Sequence, residues 1–163
     1  MFHIRGERMI IKTPTKFFLV SGIGEGNTPL TAFDKALLNA GVANTNLLKV
    51  TSILPPSCKE VRPFRLPFGA IVPVVYALKI SSTKDELITA TVGMGIPQDG
   101  KKPGLIMEYS CIGGRKESER ILCEMVEEGF ANRKEKLKKI KLASAECRVK
   151  RTGAACAVVV LWD

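Results

Sequence analysis

The chain has 163 residues, 45% of them apolar, and a formal net charge of +9. That length suits one domain over residues 1–163, with enough apolar side chains for a core that needs neither disulfides nor a metal. No apolar run reaches the ~18–20 residues of a membrane span. Met1-Phe2-His3-Ile4-Arg5 lacks the apolar stretch of a secretion signal, so the expected location is the cytoplasm.

Five cysteines, Cys58, Cys111, Cys123, Cys147 and Cys156, form no C-x-x-C pair, and the one histidine is His3. No metal site is expected, and the thiols read as small buried side chains in a reducing compartment. A charge of +9 raises the question of an anionic partner, nucleic acid above all. The densest basic run, Arg133 to Lys141, is not accompanied by any RNP-like or K-homology-type motif, and it reads as a solvated helix end.

Residues 1–13 show no clear period and read as a loose N-terminal arm, with Met9 an alternative start. Lys16 to Ser21 reads as a strand running into a turn-rich Gly22-Ile23-Gly24-Glu25-Gly26-Asn27. That glycine run lies between a strand and a helix, but it has neither G-x-G-x-x-G spacing nor a Gly-Lys-Ser/Thr, so it is not taken as a phosphate loop. A helix follows, with Thr28 as N-cap, Pro29 at the first turn, Leu30, Phe33, Leu37 and Ala40 at helical spacing, and Gly41 as the stop. Asp34 lies beside that apolar stripe.

Leu47 to Leu54 reads as one strand, ended by Pro55-Pro56. Pro63 to Pro67 is a loop. Strands are expected over Gly69–Ile80 with a kink at Pro73, over Leu87–Ile96 and over Gly104–Cys111. Ile121, Leu122, Met125, Val126 and Phe130 stripe a second helix from Lys116 to about Lys134. Strands from about Ile140 to Val149 and from Ala154 to Trp162 close the chain. Many strands around two helices predict an α+β fold, a layered sandwich with helices covering sheet faces.

The segment Asn44-Thr45-Asn46-Leu47-Leu48-Lys49-Val50-Thr51-Ser52-Ile53-Leu54-Pro55-Pro56 carries the chemistry. A Thr-Ser pair inside a strand means little by itself. Here it follows the helix Thr28 to Gly41, and it precedes Gly104-Leu105-Ile106-Met107-Glu108-Tyr109 and an apolar strand ending in Leu161-Trp162. In that order the elements resemble the pyruvoyl-dependent arginine decarboxylases from about residue 15 to the end.

The resemblance implies an αββα sandwich of mainly antiparallel sheets, cut by the chain itself between Thr51 and Ser52. The products would be residues 1–51 and 52–163. It also implies a pyruvoyl cofactor made from Ser52, an imine between that group and the amine of L-arginine, and release of agmatine and CO2. Trimers of cleaved protomers, with a site at each subunit boundary, are implied as well.

The chemistry explains the residue types. Serinolysis needs a β-oxygen beside the scissile bond: the Ser52 hydroxyl attacks the Thr51 carbonyl, and the resulting ester is then a leaving group. Alanine has no attacker, and threonine would leave an extra methyl on the product. Some members of the family carry Ser-Ser at this pair. Thr51 supplies only a carbonyl and the new C-terminus, so cleavage should survive the difference. An unactivated hydroxyl is a weak nucleophile, so an oxyanion donor is expected, and Asn46 is the candidate, with N–H groups of the Gly41–Asn44 turn in support.

Glu108, a carboxyl in an apolar strand, is the expected proton donor, a role the resemblance also implies. Asp34 is the expected partner of the substrate guanidinium, with Leu30 and Ile53 as apolar walls. The other reading is a non-catalytic, uncleaved relative that acts as a basic anion- or nucleic-acid-binding module.

Overall fold

Alternating branched and small apolar residues build the strands, and two helices shield their outer faces. The structure, a computed structural model, describes residues 12–163. His3, Met9 and residues 1–11 of the expected arm lie outside the described residues. In chain order the elements are β1 (Lys16–Gly26), α1 (Pro29–Ala40), β2 (Asn46–Lys49), β3 (Ile53–Leu54), β4 (Lys59–Glu60), β5 (Ile71–Ser81), β6 (Leu87–Pro97), β7 (Gly104–Ile112), α2 (Arg115–Asn132), β8 (Leu137–Arg148) and β9 (Thr152–Trp162).

The first sheet has the order β2-β5-β9-β1-β4 and the second β3-β7-β6-β8. Among the described residues only the short β1/β4 and β2/β5 ladders are parallel; the others are antiparallel. The sheets face each other across a core that includes Phe17, Val75, Ile88, Met94, Ile106 and Val159. α1 covers the outer face of the first sheet, and α2 covers that of the second through Leu122, Val126 and Phe130. This is the layered α+β sandwich expected from the sequence. β9 lies at the centre of the first sheet with both faces covered, which is why Ala154–Leu161 is an unbroken apolar run.

α1 begins and ends as its sequence predicts. The Thr28 hydroxyl accepts from the Thr31 N–H at 3.2 Å, the Thr28 N–H donates to the Thr31 hydroxyl at 3.0 Å, and Gly41 takes a left-handed φ of 82°. Pro73 does not break β5. It sits opposite Leu48 of β2, one residue before pairing with β9 begins at Val74.

Three expectations need correction. Gly22–Gly26 is not a turn: it continues β1, paired with Cys156 through Thr152 of β9. Its glycines answer to packing. A Cβ on Gly24 would lie 2.5 Å from the Ala32 carbonyl oxygen and the Ala36 nitrogen, and Gly22 and Gly26 face α1 backbone in the same way. Alternate glycines on the strand and Ala32, Ala36 and Ala40 on the helix let the two backbones approach closely.

The basic run is not a helix end, because α2 stops at Asn132 and Lys138, Lys139 and Lys141 lie on β8. β8 is an edge strand, where lysines deter pairing with another sheet. Finally, Leu47–Leu54 is two strands rather than one. β2 belongs to the first sheet and β3 to the second.

Gly24→Val should therefore destabilise the fold by about 2–3 kcal/mol, as overpacking against unyielding backbone does. Gly100→Ala, with open space around its Cβ, should stay within about 0.5 kcal/mol of the parent. Urea unfolding of the two variants checks this.

Candidate active site

The Thr51–Ser52 peptide lies where the chain leaves one sheet for the other. The Val50 N–H donates to the Val74 carbonyl at 2.9 Å, the last bond to the first sheet. The Ser52 carbonyl accepts from the Ile106 N–H at 2.7 Å, the first bond to the second sheet. Thr51 makes no backbone hydrogen bond among the described residues. Below the crossing, buried Leu54 anchors β3 against Gly104 of β7, and Pro55-Pro56 ends the strand. The junction is thus held on both sides and free in the middle. A peptide in a ladder would have to give up its hydrogen bonds before rearranging, whereas this one does not.

Around the junction, Thr51 is exposed, Ser52 half-buried and Ile53 44% exposed. Glu108 lies two residues along β7 from Ile106, on the same face of the strand. Its Oε1 accepts from Lys49 Nζ at 2.8 Å. Its Oε2 is buried and, among the described residues, has no hydrogen-bond partner. The Lys49 ammonium also lies 4.7 Å from the centre of the Tyr76 ring. Tyr76 in turn rests at 5.9 Å from the ring of Phe33 on α1. Lys49, Tyr76, Leu78, Glu108, Tyr109 and Ser110 line a groove of about 330 Å³.

The Lys49–Glu108 side chains are 48% and 37% exposed, so water screens the pair and its contribution to stability is about 0–1 kcal/mol. A buried carboxylate oxygen left without a partner is the less ordinary feature. Sequence reasoning found Glu108 but missed Lys49 and Tyr76. Lys49 could have been found as the one charge in Leu47-Leu48-Lys49-Val50, two residues before the junction. Tyr76, inside an apolar strand, carries no comparable signal.

Other expected residues lie elsewhere in the chain. Asn46 stands at the far end of β2, where its Nδ2 donates to the Gly69 carbonyl at 2.9 Å and its N–H donates to the Ala70 carbonyl at 2.8 Å. These bonds tie the start of β2 to the loop before β5. Asp34 and Leu30 are on the solvent side of α1, Leu30 74% exposed. Among the described residues, no hydrogen bond or ion pair links Asp34 to the junction. Within one chain Thr51, Ser52 and Ile53 stand at the junction, with Glu108 two residues along β7 from the N–H that bonds Ser52, while Asn46, Asp34 and Leu30 lie elsewhere.

The cysteines form no disulfide. Cys58, the one nearest the junction in sequence, has its thiol pushed up to about 11 by burial, and burial pushes Cys156 up to about 12. Both stay protonated near neutrality, so neither is a reactive thiolate there. No three His, Cys, Asp or Glu side chains among the described residues are grouped to hold a metal ion.

Fold and site together define a four-layer αββα protein with a serine and a carboxyl side chain at the crossing between its two sheets. Residues 16–162 match the family model described as pyruvoyl-dependent arginine decarboxylase. A protein of that name from Methanococcus aeolicus is 46% identical over 151 residues, covering 93% of this chain and 92% of its own. Namesakes from Methanocaldococcus jannaschii, 43% identical over 93% of this chain and 92% of theirs, and Thermococcus sibiricus, 43% identical over 91% of this chain and 96% of theirs, also match. The chain belongs to the pyruvoyl-dependent arginine decarboxylase family.

Asn46→Ala removes a side-chain bond that holds β2 in register, and it should lower the unfolding free energy by about 0.5–1.5 kcal/mol. Urea denaturation, carried out in a Ser52→Ala background, measures this.

Proposed function

We propose that this chain cuts itself between Thr51 and Ser52, that residue 52 becomes a pyruvoyl group, and that the matured protein decarboxylates L-arginine to agmatine and CO2. The observation that carries the proposal is the hydroxyl-bearing Ser52 next to a peptide without ladder bonds, in a chain that matches the family along almost its whole length.

The Ser52 hydroxyl adds to the Thr51 carbonyl, and the peptide C–N bond gives way to an ester. Loss of the Ser52 α-proton then breaks the Cβ–O bond. Thr51 leaves as a carboxylate, and hydrolysis of the resulting enamine releases ammonia and leaves a ketone at position 52. The Ile106 N–H on the Ser52 carbonyl helps to stabilise the charge that develops when the α-proton is lost. Cleavage cuts no ladder, because the bond lies between the sheets. Residues 1–51 remain bound through β1, which pairs with β9 over eleven positions.

The residues present fit the pyruvoyl group: Ser52 is its source, Ile106 fixes the adjoining carbonyl, and Glu108 keeps an unpartnered buried oxygen one strand away. When formed, the group supplies a carbonyl that condenses with the substrate amine and accepts the electrons left by departing CO2. Glu108 delivers a proton to the substrate α-carbon. Asp34 accepts the guanidinium in paired hydrogen bonds, Leu30 and Ile53 flank the aliphatic stem, and the new Thr51 carboxylate lies at the substrate's near end.

Since one chain does not bring Asp34 and Leu30 to its own junction, a neighbouring copy supplies them. That fits a trimer with sites at the subunit boundaries. Exposed Leu30, Ile53 and Ile71 give apolar surface for such contacts. Asn46, five residues before Thr51 and roughly 16 Å away at strand rise, serves as oxyanion donor across the same boundary. No helix among the described residues is long and apolar enough to cross a membrane, and the proposed location is the cytoplasm. Neither the comparisons nor the geometry favour an uncleaved anion-binding module.

Intact-mass analysis of purified protein should show fragments 1–51 and 52–163, the larger without its amino nitrogen. Ser52→Ala should give one full-length species and no CO2 from arginine. A single uncut chain with full activity would refute the proposal.

Asp34→Asn should leave cleavage intact and raise KM for arginine at least about tenfold, as expected for losing a charge-assisted bidentate contact. At an arginine concentration well below the raised KM, mixing weakly active Asp34→Asn subunits with Glu108→Gln subunits should restore some activity if each site draws on two copies. No recovery from demonstrably mixed trimers would place the whole site in one chain.

A further inference from the structure

We infer that Lys49 is a positioning residue for Glu108, holding one carboxylate oxygen so that the other faces the reaction. The inference rests on Glu108 being the proton donor. The geometry has three parts. Lys49 Nζ holds Oε1 at 2.8 Å. The ammonium is itself fixed over the Tyr76 ring at 4.7 Å, and Phe33 of α1 backs that ring. Oε2 remains buried with no hydrogen-bond partner among the described residues.

A glutamate side chain has three rotatable bonds and, untethered at a half-open site, would turn its oxygens toward water. The Lys49 contact removes that freedom for Oε1 alone. A cation over an aromatic face is a better tether than a free lysine, because ring and carboxylate fix it from two sides. Lys49 also lies before the scissile bond and Glu108 after it, so the contact joins the two proposed fragments next to the site. As an exposed ion pair it contributes little to stability. Its effect is on where the carboxyl points.

The test uses Lys49→Met, which keeps an apolar stem over Tyr76 and removes the ammonium, and Lys49→Arg, which restores the charge. Lys49→Met should still yield two fragments by intact mass and melt close to the parent. Its kcat should fall roughly tenfold to a hundredfold, the effect of misplacing a reacting group by about an ångström, while KM changes less than about twofold. Lys49→Arg should recover most of the loss. In a Glu108→Gln background, Lys49→Met should have no further effect, because the group it positions is already gone.

A second measurement needs no pyruvoyl group. In uncleaved Ser52→Ala protein labelled with carbon-13 at glutamate carboxyls, Lys49→Met should move the Glu108 resonance. Lys102→Met, which breaks the distant pair with Glu135, should not move it. An unmoved Glu108 resonance, or an unchanged kcat in Lys49→Met, would overturn the inference. If Glu108→Gln is inactive while Lys49→Met behaves like the parent, only the role of Lys49 is lost. If Glu108→Gln is fully active, the proton-donor assignment falls with it.

Discussion

The whole arrangement depends on one crossing. Between Val50 and Ile53 the backbone leaves a five-stranded sheet and enters a four-stranded one, held by the Val74 carbonyl before the crossing and by the Ile106 N–H after it. In a ladder, each peptide spends its N–H and C=O on a neighbour, and distortion costs those bonds. At a crossing the peptide is clamped at its ends and unbonded at its centre. That is the mechanical state a side-chain attack on a backbone carbonyl requires. The same crossing seats Ser52 against β7, two residues along from Glu108.

Two packing devices keep the crossing where it is. The first is the close contact of α1 with β1. Gly22, Gly24 and Gly26 leave no side chain between strand and helix, so α1 lies deep on the first sheet and Phe33 reaches the Tyr76 ring. The second is Leu54, 4% exposed, packed into the inter-sheet core directly after the junction. Pro55-Pro56 then prevents β3 from growing into a longer strand that would draw Ser52 into regular pairing. Helix, ring, lysine and carboxylate form a connected series from the outer layer to the site.

Much of this could be read from the sequence, for physical reasons. α1 announced its own ends because capping is local: Thr28, Pro29 and Gly41 act on neighbours within a turn. The strands of the inner layers showed as branched apolar runs. The glycine stretch misled, because glycine reads as a turn former when its partner is unknown, and only the helix backbone above it shows that absent side chains were needed for packing.

Leu47 to Leu54 misled for a related reason. Apolar alternation marks extended backbone without saying which sheet a residue pairs with, and the change of partner at Thr51 is a tertiary fact. Thr51, Ser52 and Ile53 stand at the crossing, and Glu108 lies on the strand that pairs with β3. Lys49 was missed because a lysine in a short exposed strand is ordinary until the carboxylate it meets, 59 residues later in the chain, is in view.

The charge at the junction follows from the same chemistry. An ordinary hydrolysis would create one carboxylate and one ammonium at the break. The proposed route releases the nitrogen as ammonia, so it adds a negative charge at Thr51 with no new positive charge beside it. The space beside Lys49 and Glu108 would thus become more negative by one charge, and Asp34 from a neighbouring copy would add another. Arginine carries a single net positive charge, with its guanidinium remaining charged throughout. The cut that makes the electrophile would thus also give the pocket the sign its substrate requires, and an uncut chain would lack both.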